Sequence, residues 1–330
     1  MRKQICSVYM KSVLFIIILI AQSNLLLPQN SANNLNSDFD YYKQINEKEL
    51  RLSEFKDNDE ALRIKLIQLD IINSSRKKFR VAPVKLDILA SRVANKMCRE
   101  AAENKFVSHW NLAGEKPYHR YAFAGGYDHV SENAYGEWTS RPYDISSSLI
   151  GKMMEAGHRS FMAERSPNDG HKKNIIEKDH NFVGIGFFIA NDQFRYYEEF
   201  LDRYLEFEKI PSDLKVNEES ALTVKPIGAN YLYFLIAYRE KFPTPQKATQ
   251  LSRTGSYDDF SNEEYLKIPA WDLARFRSVS TYNIPLKFTK EGLYYIQIFL
   301  DKKENTSATV LNTKGKTAGS GIVIRVGRGN

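Results

Sequence analysis

The chain has 330 residues, of which 42% are hydrophobic and 12% aromatic. This composition is enough to bury a core, and it excludes disorder over most of the length. The formal net charge of +7 is modest. Because the sequence also lacks a cluster of Lys and Arg with interleaved aromatic residues, we predict no nucleic-acid partner.

The N-terminal segment has the pattern of an export signal. Arg2 and Lys3 precede an apolar run, VLFIIILIA, which spans residues 13–21 and is short for a membrane span. Ala21 and Ser23 are small enough to suit cleavage, so we predict a signal peptide at 1–23 and a secreted, periplasmic or cell-surface protein. An uncleaved anchor that extends through the following leucines is the alternative.

The cysteines exclude a disulfide framework. Cys6 lies in the predicted signal peptide, which leaves Cys98 as the one thiol of the mature chain. Cys98 falls on the apolar face of a predicted helix, where leucines, alanines and a methionine recur at steps of three and four. We therefore interpret it as a core residue and not as a nucleophile.

The first half of the chain predicts one mixed domain. Residues 24–59 are polar and rich in Asn, Ser and charged side chains, so we predict a linker or a loosely packed helix there. Helical spacing of apolar residues then occurs in three stretches, 61–79, 86–101 and 145–164. Strand-like patterns follow in two stretches, 182–190 and 194–207. We predict a domain over 60–207 in which helices flank a small sheet.

The amino-acid composition and the pattern of apolar residues change after Pro211. Short runs rich in β-branched and aromatic residues alternate with Gly, Pro, Asn and Ser, and they contain no histidine or cysteine. This pattern is typical of an all-β sandwich of immunoglobulin-like type, so we predict such a domain over 208–330. Within it, residues 247–272 are predicted as a long irregular insertion. The domain has the composition of a binding or spacer module.

The histidines and one glutamate suggest that the functional residues lie within one stretch of the chain. All six histidines lie between residues 109 and 180, which a random scatter would seldom produce. Glu132 lies in the same window, in the glycine-framed stretch GGYDHVSENAYG. A carboxylate partly withdrawn from water needs a proton, a cation or several donors beside it, and imidazole can supply the first two.

Five blocks of the first domain occur in the order of a known family. They are the stretch from Asn73 that ends in Ser108-His109, then GEKPYHR, SENAYG, GHKKNII and VGIG. In this order they resemble the CAP superfamily (cysteine-rich secretory, antigen 5 and pathogenesis-related 1 proteins, also called SCP-like), in its bacterial, cysteine-poor form. Two departures are a serine at 131, where the family has glycine, and FMAERSPNDGH in place of a tryptophan-containing helix.

The resemblance implies an α+β fold, with a CAP-type α-β-α sandwich followed by the Ig-like sandwich. It also implies a cleft at which two histidines and two acids converge. Matched position by position, these are His109, Glu132 and His171, with Glu164 as the best match for the second acid. The remaining histidines, at 119, 129, 158 and 180, match no site position, and we predict them to be surface or satisfied structural residues.

Two imidazoles and two carboxylates can bind a borderline cation such as Zn²⁺ and leave a position open for water or a ligand. We therefore predict His109 and His171 as candidate zinc ligands. Without metal, the same groups would form a proton-sharing network in which Glu132 orients or neutralises a histidine. Asn133 is expected to hydrogen-bond the adjoining loop.

These features predict an exported ligand-binding or interaction protein in preference to an enzyme. Lipid or sterol binding and metal-linked interaction are what the resemblance implies, with a small molecule, a lipid, a cell-envelope component or a protein as the partner. A hydrolase that uses the same His/Glu cleft on peptides or envelope material is one alternative. A structural cell-surface protein is the other.

Overall fold

A computed structural model describes residues 29–252, 257, 263–304 and 311–328, with side chains from residue 38 onward. The predicted signal peptide at 1–23 lies outside these residues. Among the described helices, none combines the length and apolar character that a membrane crossing requires.

The first half of the chain is a four-stranded sheet with helices on both faces. Its helices are α1 (Gln29–Lys48), α2 (Asp59–Lys78), α3 (Ile88–Glu103), α4 (Pro117–Phe123), α5 (Ser147–Met162) and α6 (Gly170–Ile175). Its strands are β1 (Lys85–Leu86), β2 (His129–Trp138), β3 (Phe182–Ala190) and β4 (Gln193–Asp202). The strand order is β1-β3-β4-β2, which leaves β2 at one edge.

Alternation along β3 explains the three-layer arrangement. Gly184 and Gly186 face α3, where an added Cβ would lie 2.4 Å from the backbone of Ala90 or of Ala94. Glycine therefore lets α3 approach the sheet closely. Ile185 points to the opposite face and shares a core with residues of α2 and α5. The VGIG block thus separates the two helical layers of an α-β-α sandwich.

Residues 24–59 were predicted as a linker or a loosely packed helix, and their described part contains the helix α1, which packs against the domain. Phe39 and Tyr42 on α1 are buried in the core beneath α2, and the Tyr42 hydroxyl accepts the Leu86 N–H at 3.1 Å. The side chain of Asn46 donates to the Asp57 carbonyl at 2.8 Å. A few buried aromatic residues hold this polar helix against the domain, and the average composition of the segment hides them.

The second half contains two packed sheets. The first has the order β10-β11-β7-β5, with β5 (Leu205–Lys209), β7 (Glu219–Pro226), β10 (Arg277–Ser278) and β11 (Thr281–Lys287). The second has the order β6-β14-β12-β8-β9, with β6 (Asp213–Lys215), β8 (Tyr231–Glu240), β9 (Glu263–Pro269), β12 (Gly292–Asp301) and β14 (Ile322–Gly327), and β13 (Thr317–Ala318) pairs with β12. One apolar core lies between them and includes Leu222, Ile284 and Ile296.

Two local boundaries differ from the sequence prediction. The stretch 194–207 is not one strand: β4 ends at Asp202 and β5 begins at Leu205, so the chain moves from one sheet to another just before residue 207. The stretch 247–272 includes regular structure, namely α7 (Ala248–Leu251), β9 and most of α8 (Ala270–Leu273). The domain limits at 207 and 208 stay predictions.

The two halves of the chain contact each other directly. The Tyr118 hydroxyl on α4 donates to the Glu240 carboxylate at 2.5 Å, and the Tyr118 ring stacks on Tyr295 with centroids 4.1 Å apart. Leu293 and Val323 of the second half lie in the same apolar cluster as residues of α3 and α4. This contact places part of the second half beside the edge strand β2.

Candidate functional site

The four residues predicted for the cleft lie together. His109, Glu132, Glu164 and His171 all line one cavity of about 1070 Å³ that wraps around the β2 edge of the sheet. The second half of the chain adds Tyr257 and Lys316 to its wall. The resemblance thus identified residues that the fold brings to one place, although they come from a loop, a strand and the ends of two helices.

The His109–Glu132 pair forms the inner part of the cleft. Glu132 lies on β2 and is fully buried, whereas the His109 side chain is 20% exposed at the cavity surface. His109 Nδ1 lies 2.8 Å from Glu132 Oε1, in hydrogen-bond contact. This carboxylate fixes the orientation of the imidazole and places Nε2 on the opposite side of the ring.

Arg120 balances the charge of Glu132. Its Nη2 forms an ion pair with Glu132 Oε2, and its Nη1 donates to the backbone carbonyl of His109 at 2.5 Å. One guanidinium therefore holds both members of the inner pair. Burial opposes the charge of Arg120, yet Glu132 and Glu199 beside it raise the pKa of Arg120 overall, so this cation stays charged.

A second buried acid lies directly across the sheet. Glu199 on β4 is the register partner of Glu132, and it is also 3.5 Å from Arg120 Nη2. Its oxygens lie beside Glu132 without an aligned hydrogen bond to any described residue. Burial and the adjacent Glu132 charge raise the pKa of Glu199 well above its usual range. Two buried acids at one arginine thus favour a neutral, protonated Glu199.

The His171–Glu164 pair forms the outer part of the cleft. His171 Nδ1 lies 2.5 Å from Glu164 Oε1, and the side chains are 34% and 24% exposed. Glu164 Oε2 also accepts the backbone N–H groups of His171 and Lys172 at 3.0 and 3.4 Å. The acid therefore caps the first turn of α6 while it orients the ring. Phe161 stacks on the His171 ring with centroids 4.6 Å apart.

Asn133 connects the cleft to the opposite side of the sheet. Successive residues of a strand point to opposite faces, so Glu132 faces α3 while Asn133 faces α5 and α6. Its Nδ2 donates to Glu198 Oε2 at 2.9 Å and to the His171 carbonyl at 3.2 Å, and its Oδ1 accepts from Asn174 at 2.9 Å. The expected hydrogen bond to the adjoining loop is not among these contacts, because His171 and Asn174 both lie in α6 and Glu198 lies in β4.

The other four histidines have separate places. His158 and His180 are buried and paired, with Glu198 at 3.0 Å and Asp202 at 2.5 Å. His119 is buried 3.0 Å from Glu240. These three are structural residues and none of them is on the surface. His129 and His180 also line the cavity, which the prediction of a site with two histidines did not anticipate.

Sequence reasoning missed three contributors to the cleft. Arg120 belongs to the GEKPYHR block, so its motif was a signal, but no role was predicted for it. Glu199 is one of two adjacent acids in the strand FRYYEEFLD, in which Arg195 and Asp202 are also charged, so the sequence gives little signal for a buried acid there. Tyr257 lies in the second half of the chain, where no pattern in the sequence points to the cleft.

The donor set limits how a metal could bind. Within the described residues, no group of three or more His, Cys, Asp or Glu side chains is arranged to hold a metal ion. Both carboxylates occupy the Nδ1 side of their histidines, which is the position of a supporting partner and not of a direct ligand. The described residues therefore do not form a closed four-ligand structural site.

Comparisons with solved structures returned SCP and CAP proteins. An extracellular protein containing an SCP domain from Bacillus anthracis is 16% identical, with a TM-score of 0.32 over 42% of this chain and 40% of that chain. An outer surface protein of Borrelia burgdorferi is 18% identical, with a TM-score of 0.33 over 42% and 92%. The CAP domain of enterococcal PrgA is 10% identical, with a TM-score of 0.29 over 41% and 58%.

No family model and no curated protein matches the chain. The chain spans less than half the length of the Bacillus structure, and at these TM-scores the matches carry no argument about ligands or activity. Residues 59–202 form a three-layer α-β-α sandwich with paired His and Glu residues at one edge, which is the architecture that the resemblance of the sequence blocks to the CAP superfamily implies.

Proposed function

We propose that this protein is exported and that its His/Glu cleft is a ligand-binding site and not a catalytic centre. The observation that carries this proposal is the arrangement of the two His–Glu pairs, which line one cavity of about 1070 Å³ with each acid on the Nδ1 side of its ring. Such rings are pre-oriented and need little reorganisation when a ligand binds. The predicted signal peptide supports export.

A divalent cation, with Zn²⁺ as the first probe, is the proposed cofactor of this cleft. His109 and His171 would hold it, because imidazole is a preferred zinc ligand and each ring already has its supporting carboxylate. A bound Zn²⁺ with open positions supplies a Lewis acid that can attract an anionic or carbonyl ligand. The residues of the chain contribute orientation and charge balance, with Arg120 and Glu164 as the main supports.

Calorimetric titration of Zn²⁺ into the mature protein near pH 7 tests the metal. Micromolar or tighter binding that disappears in the His109→Ala/His171→Ala variant supports the proposal. His129→Ala is the matched control because His129 lines the same cavity without belonging to either pair. If wild type and the double variant behave alike, the metal proposal is wrong, and an apo hydrogen-bonded cleft for another ligand is left.

A lipid is the second ligand class that we propose, at a different place. A groove of about 660 Å³ runs between α2 and α5 and is lined by Ile64, Ile67, Ile71 and Gly151, with charged residues at its rim. Apolar walls with a polar rim suit an acyl chain or a sterol. Ile67, on α2, is 52% exposed in this groove.

Binding of radiolabelled palmitate and cholesterol to the purified protein tests the lipid proposal. Ile67→Glu should reduce the binding at least tenfold because it places a charge where the chain would lie. Val279→Glu is the control, since Val279 is 90% exposed in the second half of the chain. Equal lipid binding by the two variants would refute the groove as the site.

A hydrolase is the rival function, and one side-chain arrangement favours it outside the predicted cleft. Ser75 Oγ lies 2.9 Å from His158 Nε2, and His158 Nδ1 lies 3.0 Å from Glu198 Oε1. This is the bonding order of a Ser-His-acid triad. Ser75, however, lies in the last turns of α2 and does not line either cavity described above. We therefore rank the hydrolase second.

Labelling with a fluorophosphonate probe separates these readings. Labelling of wild type that is lost in Ser75→Ala would favour a hydrolase, whereas absence of labelling favours a structural role for His158. Hydrolysis of casein or peptidoglycan that persists in Glu132→Gln would exclude the His/Glu cleft as its site. If the protein is instead a structural surface protein, with the second half as the Ig-like domain that we propose, none of these assays should show binding, labelling or hydrolysis.

A further inference from the structure

The second half of the chain supplies a side chain to the cleft of the first half. Tyr257 lies in the segment between β8 and β9, and it is buried with one face on the cavity that His109 and Glu132 line. Its ring lies against the His109 imidazole, with centroids 4.7 Å apart and planes tilted by 59°. Its hydroxyl accepts the backbone N–H of Glu132 at 2.7 Å.

The second of these contacts depends on the position of β2 in the sheet. Because β2 is an edge strand, the Glu132 N–H that points away from β4 has no strand to receive it. Because the Glu132 N–H points away from β4, Glu132 and Glu199 form a non-hydrogen-bonded pair of the antiparallel ladder. In such pairs the facing side chains approach most closely. The Tyr257 hydroxyl therefore occupies the open edge at the residue where the two acids meet.

Other contacts hold the same segment along the loop that carries His109. The Gln246 N–H donates to the Leu112 carbonyl at 2.7 Å. Gly114 has φ +81°, and a Cβ there would lie 2.3 Å from the Thr244 carbonyl, so glycine is required on both counts. Leu251 is buried in a cluster with residues of α3 and of the His109 loop. Tyr257 is thus one contact of a broad interface and not an isolated approach.

We propose that Tyr257 is a positioning residue of the His109–Glu132 pair, so that the CAP cleft is completed by the other half of the chain. The ring restricts the rotation of the imidazole, and the hydroxyl fixes the strand at Glu132. No contact of this kind reaches the His171–Glu164 pair in the described residues. The proposal deepens the ligand-binding function and rests on it for its consequence, although its geometry can be tested without any ligand.

The first test compares wild type and variants as full-length, metal-free proteins, all at the same pH. Tyr257→Phe removes the acceptor and keeps the ring, whereas Tyr257→Ala removes both. Tyr265→Phe is the matched control, because the Tyr265 hydroxyl accepts the backbone N–H of Thr289 at 2.7 Å inside the second half. Amide hydrogen exchange should become about fivefold or more faster at Glu132 in Tyr257→Phe. In Tyr265→Phe the same change should appear at Thr289 and not at Glu132.

Imidazole ¹H–¹⁵N spectra of the same proteins test the ring contact. The His109 signals should shift in Tyr257→Ala, which loses the ring current, and shift little in Tyr257→Phe. The His171 signals should stay in place in both and serve as the internal reference. Unchanged His109 signals in Tyr257→Ala, together with unchanged Glu132 exchange in Tyr257→Phe, would overturn the proposal.

Zinc titration then tests the consequence for binding. Loss of a supporting contact to a metal ligand commonly lowers affinity about 10–100-fold, so this range is expected for Tyr257→Ala, with a smaller loss for Tyr257→Phe. A wild-type protein that binds no Zn²⁺ refutes the metal proposal while the spectra still decide the role of Tyr257. Zinc binding that is equal in wild type and Tyr257→Ala refutes the positioning role and leaves the metal proposal intact.

Discussion

The two His–Glu pairs of the cleft have the same hydrogen bond and opposite surroundings. The inner pair, His109–Glu132, has a fully buried acid on a strand, an arginine that neutralises it and a tyrosine against the ring. The outer pair, His171–Glu164, is partly exposed at the start of a short helix and lies against one phenylalanine. The two pairs therefore have similar chemistry, but the surrounding residues stabilise them to very different degrees.

The difference comes from solvation. A buried carboxylate has no water to stabilise it, so each missing partner costs the full desolvation penalty, whereas an exposed carboxylate can recover water. The inner pair should consequently be rigid and sensitive to substitution, while the outer pair should tolerate it. Three variants test this contrast, in order of the size of the expected effect.

Arg120→Met should give the largest effect. It removes the cation of the inner pair and leaves Glu132 and Glu199 buried without it, so the free energy of unfolding should fall by about 3–5 kcal/mol. Urea unfolding measures the change. Arg159→Met is the control, because Arg159 forms an exposed pair with Glu155 and should cost less than about 1 kcal/mol. Similar losses in the two variants would contradict the distinction between buried and exposed pairs.

Glu199→Gln should change how stability depends on pH. Because the folded protein raises the pKa of Glu199, the folded state holds this proton more tightly than the unfolded chain does. The stability that the proton contributes is complete below the ordinary pKa of a glutamate and is lost as the pH rises through the folded pKa. Glutamine has nearly the same shape and does not ionise. The free energy of unfolding of the variant should therefore increase relative to that of wild type as the pH rises.

Urea unfolding of Glu199→Gln and wild type at pH 5 and pH 8 measures this gain. An advantage of about 1–3 kcal/mol at the higher pH, and a smaller one at pH 5, is expected because wild type must increasingly ionise a buried acid beside Glu132 and the variant need not. Glu155→Gln, an exposed site, should show no such trend. A difference from wild type that is equal at both pH values would show that Glu199 is not the proton-holding acid.

Glu164→Gln should give the smallest effect on stability. The amide oxygen can still accept the N–H groups at the start of α6, and the lost charge is partly exposed, so a change of about 1 kcal/mol or less is expected. Thermal unfolding followed by circular dichroism measures it. A loss as large as that of Arg120→Met would mean that the outer pair is as essential to the fold as the inner one.

The parts of the fold that the sequence predicted are those with local causes. Helical spacing in α2, α3 and α5 and the VGIG pattern of β3 identified a mixed domain, because periodicity reports which face of an element is buried. Residues 24–59 were predicted as a linker or a loosely packed helix; the helix α1 is present, and its packing through Phe39 and Tyr42 could not be inferred from a polar stretch. Strand pairing and the exact end of β4 depend on contacts between distant residues.

The sequence by itself predicted the four cleft residues through its resemblance to one superfamily: His109, Glu132 and His171 lie in blocks that follow the order of that family, whereas Glu164 lies in a stretch that departs from it. Only the tertiary structure decided their partners. Glu199 meets Glu132 through the register of β2 and β4, and Tyr257 meets both members of the inner pair through the packing of the second half on the first. Burial and charge balance depend on residues that are distant in the sequence and become neighbours only in the folded protein. A short stretch of sequence therefore cannot predict them.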